Sequence, residues 1–393
     1  MARLESSLFA PGTIDEVGRD DIVELAKSGG EPAISIYLPV GLHGDVARDK
    51  IVLRDLIAQA RLELAEDGYD ASRIKELLQL PERLMTDDTY FAKGMRGMAI
   101  FCGIGEDRVL RLPVAPEPAY SVAASPWVVP LLSVLEGAGD FLILWLDLND
   151  VRLYLAGRFS MTRLPLGDVD TSIDDVLPDE DRQAHISARA EGTARTSRVA
   201  VFHAKGVGEE RTKRHEEHFL EMLAAELVPY LSEWSAPLVV VGVEDLAASL
   251  AARLTHDQVA VAQLEGSPSR ADEREIHRRA WEAVEPIMTA GHRAAVERYA
   301  ELAGTGYTTF ELEEVSAAAR EGRAASLLVA STRPAWGRRL SGSSQVELHE
   351  YAVIGDVDLV GSAVGDALAS GAEAYLATAG EVPFSPVGAI LRY

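Results

Sequence analysis

Apolar runs of five or six residues recur along this chain, with helical patterns between them. Ala33–Leu38, Phe141–Leu146, Pro237–Gly242 and Ala325–Ala330 are apolar almost without interruption. A strand written this way is covered on both faces. Helical stretches at Asp45–Glu66, Glu244–Leu254, Phe310–Glu321 and Val357–Ser370 supply the cover. The alternation predicts an α/β architecture of sheets layered with helices. At 393 residues the chain exceeds what one core usually organises, so more than one domain is expected.

Three segments emerge. Residues 1–125 read as an N-terminal α/β domain. Strand Ala33–Leu38 ends at Pro39, helix Asp45–Glu66 follows, and a shorter helix near Ala71–Leu80 ends at Pro81. Gly97–Cys102 and Arg108–Leu112 form a hairpin, and Pro113–Pro126, with four prolines, reads as a linker. Residues 126–268 read as a mixed-sheet central domain. It opens with a helix at Pro126–Leu135, then pairs Phe141–Leu146 with Val151–Leu155 across Asn149–Asp150. Gly167–Ser197 has no periodicity and reads as a surface excursion. Residues 269–393 read as a connector helix, kinked or broken at Pro286, and an α/β/α sandwich with Ala325–Ala330 as a central strand.

The formal net charge of −24 argues against a general binder of nucleic acid or anionic membrane, because the field of the whole chain repels phosphate. RNA contact would have to come from local basic patches. Neither a secretory leader nor a run long enough to span a bilayer is evident, and Cys102 is the only cysteine. A cytoplasmic location is therefore expected.

The most distinctive stretch runs from His203 to His218. It follows the apolar run Val199–Phe202, passes through Gly206-Val207-Gly208, and continues as a helix without an apolar face before His218. Phe219, Leu220, Leu223, Leu227 and Leu231 then mark a buried stripe. This predicts a polar helix start projecting beyond the domain, with a glycine loop at its tip. A nucleotide loop fails because Arg211 stands where a third glycine belongs and no Gly-Lys-Ser/Thr follows. His203, His215 and His218 with Glu216 and Glu217 lack zinc-protease spacing, and the acidic run from Asp168 to Asp175 lacks a calcium loop's glycine and glutamate. No nucleophile elbow occurs, and Cys102 has apolar neighbours. No metal, cofactor or catalytic residue is assigned. Two cationic groups remain: Lys205, Arg211, Lys213 and Arg214 at the helix start, and Arg320, Arg323, Arg333, Arg338 and Arg339 with Trp336 among them, opposed locally by Glu321, the part from Arg333 to Arg339 reading as a loop. Arginine with an interleaved aromatic suits RNA phosphates and base stacking.

The ordered pieces resemble the bacterial branch of the archaeo-eukaryotic peptide-chain release factors and their relative Pelota. Ser35–Pro39 is similar to the opening strand of that branch. His203–Gly208 with Lys213 and Arg214 resembles the release-factor loop and its basic helix. Gly322–Val329, the Asp356–Gly371 helix and Val387–Tyr393 are similar to the C-terminal domain, which has the fold of kink-turn-binding ribosomal proteins. The resemblance implies contact with the ribosome and its RNA through His203, Lys205, Gly206, Val207, Gly208, Arg211, Lys213, Arg214, Arg333, Trp336, Arg338 and Arg339. It allows a translational GTPase as partner, and implies neither DNA nor membrane. Release factors carry Gly-Gly-Gln where this chain has Gly206, Val207 and Gly208, so the expectation is A-site binding in rescue or hibernation without peptidyl-tRNA hydrolysis. The rivals are a metal-dependent nuclease or hydrolase built on the central domain with His203, and a stress-related scaffold that no longer touches RNA.

Overall fold

A computed structural model describes residues 14–15, 17–30, 32–41, 46–87, 90–91, 95–137, 139–167, 169–176, 205–263, 272–340, 345–378, 380–384 and 386–393. The chain forms two compact units. One comprises residues 139–288, and the other joins the segments on either side of it.

The N-terminal segment holds α1 (Arg19–Lys27), β1 (Ala33–Pro39), α2 (Val46–Glu66), α3 (Ala71–Leu77), α4 (Gln79–Leu84), β2 (Gly97–Cys102), β3 (Arg108–Leu112), β4 (Ala119–Ala123) and the single-turn α5 (Leu132–Leu135). The sheet runs β3-β2-β1-β4, antiparallel throughout. Strand alternation sends Ile34, Ile36 and Leu38 into a core with α2 and α3, while Tyr37 faces the opposite core with Phe101 and Trp127. Buried Tyr37 donates its hydroxyl to the Trp127 carbonyl at 2.6 Å. The four-proline stretch is more than a linker, since β4 lies inside it and pairs with β1. Its prolines flank that strand and leave the β4 amides available to the ladder. Pro81 does not end a helix either. It sits in the first turn of α4, where its missing N–H would have no intrahelical partner. The helix expected at Pro126–Leu135 is reduced to a 3₁₀ turn at Val129–Leu131 and α5.

The unit of residues 139–288 contains β5 (Phe141–Asp147), β6 (Asp150–Ala156), β7 (Met161–Leu164), α6 (Ile173–Val176), α7 (Lys205–Leu231), β8 (Leu238–Gly242), α8 (Glu244–Ala251), β9 (Val259–Gln263) and α9 (Glu273–Met288). Strand order is β7-β6-β5-β8-β9, with β5, β8 and β9 parallel and the rest antiparallel. The sheet is therefore mixed, as the sequence predicts. Leu142, Leu144, Leu153, Leu238 and Val240 bury one face under α7.

The C-terminal segment adds α10 (Ala290–Leu302), β10 (Thr308–Thr309), α11 (Leu312–Arg320), β11 (Ala324–Val329), β12 (Trp336–Arg339), β13 (Val346–Leu348), β14 (Val357–Asp358), α12 (Leu359–Ala369), β15 (Glu373–Leu376) and β16 (Val387–Leu391). Its main sheet runs β10-β16-β11-β15, so β11 is interior. Leu327 and Val329 pack with α11 and α12, whereas Leu328 and Ile390 pack with α10, giving the expected α/β/α sandwich. Residues 269–302 are not one connector helix. Pro286 falls in the last turn of α9, the break comes at Thr289, and α9 lies on the central sheet while α10 lies on β11 and β16. The outer segments share one core, because α1 lies against α12 so closely that a Cβ on Gly365 would come within 2.3 Å of Ala26.

Candidate functional site

The apolar stripe of α7 fits its prediction. Phe219, Leu220, Leu223, Leu227 and Leu231 are each at most 2% exposed, and truncating any one would cost about 2–5 kcal/mol. Ahead of them, Lys213, Arg214, Glu217 and His218 are exposed and His215 and Glu216 half-buried. Glu216 and Glu217 offset Lys213 and Arg214, so this stretch carries no excess charge.

The glycine loop is corrected. The α7 backbone is helical from Lys205 onward, which places Lys205, Gly206, Val207, Gly208 and Arg211 in its first two turns. Each glycine costs a helix about 1 kcal/mol relative to alanine. The run of strong helix formers that follows in the sequence, Glu209, Glu210, Arg211, Lys213, Arg214, Glu216 and Glu217, offsets that cost. His203 and the predicted strand Val199–Phe202 lie outside the described residues. From Lys205 to His218 the helix rises about 20 Å at 1.5 Å per residue.

The arginine loop is corrected too. Trp336, Arg338 and Arg339 stand on β12, the middle strand of a small antiparallel sheet ordered β13-β12-β14. Gly337 lets β13 come close, since a Cβ there would stand 2.1 Å from the Glu347 carbonyl oxygen. Arg338 pairs with Glu347 at 2.8 Å, and Arg339 with Asp366 at 3.1 Å and the Ser362 hydroxyl at 2.8 Å. Arg323 likewise pairs with Glu321 at 2.8 Å. Trp336 is half-buried, and Arg333 is exposed. The positive run is thus largely paired, Arg323 with its sequence neighbour Glu321 and Arg338 and Arg339 with carboxylates brought from elsewhere in the segment. The two cationic groups also belong to different units.

Beneath β12 lies a polar cluster that the sequence reading missed. Asp358 is fully buried and accepts from the Ala335 amide at 3.1 Å and the Val360 amide at 3.2 Å, capping α12. Burial pushes its carboxyl up to about 7, against the opposing pull of those amides. Asp356, also buried, accepts from His349 Nδ1 at 2.6 Å and from the Val353 amide at 3.0 Å. That hydrogen bond to Asp356 raises the His349 pKa. The legible signal was Asp358 ahead of the apolar run Leu359–Val364, a helix-start pattern.

On the central sheet, Tyr154 reaches Glu273 at 3.5 Å and Arg152 pairs with Asp150. Burial raises the Tyr154 hydroxyl pKa. Cys102 is buried in β2, and burial raises its thiol pKa, which leaves it a packing residue. Among the described residues no three His, Cys, Asp or Glu side chains gather where they could hold a metal ion. No helix there is long and apolar enough to cross a membrane.

Residues 140–323 match the family described as bacterial archaeo-eukaryotic release factor family 3. No curated protein matches. Similar solved structures include an archaeal translation termination factor, aRF1, at 15% identity over 96% of this chain and 99% of that one, with a TM-score of 0.24. Archaeoglobus fulgidus Pelota aligns at 10% identity over 97% of this chain and 93% of its own, with a TM-score of 0.31. An archaeal Pelota in a ribosome-bound model with ABCE1 aligns at 11% identity over 99% of both chains, with a TM-score of 0.35.

Proposed function

We propose, from the match of residues 140–323 to bacterial archaeo-eukaryotic release factor family 3, that the chain is a ribosome-associated translation factor that occupies the A site without hydrolysing peptidyl-tRNA. One observation carries the reading: the matched segment contains a long helix whose buried stripe begins only at Phe219, with Lys205 to His218 ahead of it. Lys213 and Arg214 are exposed there, and the first amides of a helix carry partial positive charge. Such a helix start suits ribosomal RNA phosphates, and His203, Lys205 and Arg211 complete the same stretch of sequence. Arg333 and Trp336 would add a second, weaker contact. Rescue and hibernation are the two roles that fit a non-hydrolytic occupant, with a translational GTPase as a delivery partner in the first.

The non-hydrolytic half rests on Gly206, Val207 and Gly208. Orienting a water molecule needs a polar side chain held in place, and a glycine hydrogen provides none. Purified protein added to programmed ribosomes is expected to release labelled peptide no faster than buffer. Multiple-turnover release that disappears on replacing Gly208 would restore a hydrolytic role.

A further inference from the structure

The end of β13 and the loop leading to β14 show four large apolar side chains to solvent within seven residues. Leu348 is 57%, Tyr351 74%, Val353 49% and Ile354 59% exposed. Scattered exposed apolar residues are ordinary, but a cluster this tight costs solubility and marks a contact surface. The loop that carries them is rigidly built. Gly355 turns the chain at φ +89°, the Asp356 amide donates to the Val353 carbonyl at 2.8 Å, and the Ala124 amide donates to the Asp356 carbonyl at 2.8 Å. The buried Asp356 carboxylate, held by His349 and the Val353 amide, locks the turn from within. Desolvating a carboxylate to fix a surface loop is expensive, and what it achieves is a display of apolar side chains in one conformation.

Beside the loop lies a cavity of about 140 Å³, lined by Tyr69, Asp67 and Pro32 from the N-terminal segment and by Val353, Ile354 and Gly355 from the loop. Asp67 is the one carboxylate in its lining, and it follows two others in the sequence. Glu63 and Glu66 end α2, Asp67 follows immediately, and the negative end of the helix dipole adds to their mutual repulsion. Burial, and then the charge of Glu66, raises the Asp67 pKa, and burial raises that of Glu63. Among the described residues neither Glu66 nor Asp67 has a cationic partner.

We infer that this loop and cavity form a docking site for a short protein segment bearing an apolar anchor flanked by lysine or arginine. The anchor would sit on Ile354 and Tyr351 and enter the cavity, while the flanking cation would meet Asp67 and Glu66. Charge complementarity selects a basic occupant: the local carboxylates and the net charge of −24 both repel nucleic acid and a second copy of this chain. The surface lies in the unit that does not contain α7, and its test involves no ribosome.

The test uses full-length protein and an oriented array of nine-residue synthetic peptides. The central residue is Phe, Leu or Ser, and the flanks are Lys/Arg, Gln or Glu. Peptides with Phe or Leu between cationic flanks are expected to bind about ten-fold tighter than their Ser-centred or Gln-flanked counterparts. Ile354→Ser and Tyr351→Ser, both at exposed positions, should weaken that binding about ten-fold with an unchanged circular dichroism spectrum. Asp67→Asn should weaken it about three-fold and flatten its salt dependence. Indifference to the flanks or to Ile354→Ser would overturn the inference. So would oligouridylate binding lost in these variants, or self-association that Ile354→Ser abolishes.

Discussion

Two stretches of this chain look alike in sequence and differ in the folded molecule. Lys205–Arg214 and Arg333–Arg339 are both short, basic and adjacent to aromatic or apolar residues. The first opens α7, where Lys213 and Arg214 extend from a helix that has no buried residue between them and Phe219. The second becomes the middle strand of a small sheet, with Glu347 and Asp366 placed against two of its three arginines. A count of cations along the chain therefore does not measure the charge available to a partner. Carboxylates distant in sequence decide it, and only the fold brings them in.

If β12 is scaffold rather than binding surface, its buried neighbours should control stability, and the largest effect belongs to Asp358. Its carboxyl sits at about 7 in the folded state, above its ordinary 3.8. The folded form thus holds the proton more tightly than the unfolded one, so the contribution of this carboxyl to stability is fully present below about pH 4 and is lost as pH rises towards 7. The loss amounts to a few kcal/mol, at about 1.4 kcal/mol per pH unit. Asp358→Asn keeps an acceptor for the Ala335 and Val360 amides and should flatten that slope in urea unfolding between pH 4 and 7. An unchanged slope would mean the carboxyl is not buried as described. His349 works in the same direction: its raised pKa contributes stability that is present below about 6.5 and lost as pH climbs through its folded value.

A smaller effect separates the two arginine pairs. Asp366→Ala removes the partner of Arg339 at a site where both side chains are under a third exposed, and should lower stability by about 1 kcal/mol. Glu347→Gln acts on a pair about half exposed on each side and should leave the urea midpoint unchanged. Should Glu347→Gln instead strengthen ribosome pelleting, Arg338 would be a masked contact and the contrast between the two stretches would weaken.

Periodicity made most of the architecture legible. β1, β5, β8 and β11 are buried on both faces, and that burial is what an unbroken apolar run records. The stripe of α7 was equally plain, because five large residues at helical spacing have no other use. Short strands were missed where pairing, not burial, defines them. Trp336-Gly-Arg-Arg339 reads as a loop, yet it pairs on both sides. Val259–Gln263 is a half-exposed edge with little pattern, and β4 was hidden by its flanking prolines. At the α7 start two glycines suggest a loop, whereas the charged residues after them favour extending the helix backwards. The Asp356–His349 lock was invisible, since its members gain meaning only when the turn closes.

The central proposal is that the start of α7, and not the carboxylate-paired arginines of β12, makes the main ribosome contact. Cosedimentation of purified protein with ribosomes across a salt titration tests it most directly. Wild-type pelleting should fall steeply with salt, and each lost phosphate contact should lower the slope by roughly one unit. Reversing Lys205, Arg211, Lys213 and Arg214 to glutamate should abolish pelleting, whereas replacing Arg338 and Arg339 with glutamine should leave it nearly intact. Unchanged pelleting of the fourfold α7 variant, or loss confined to the β12 variant, would contradict the account.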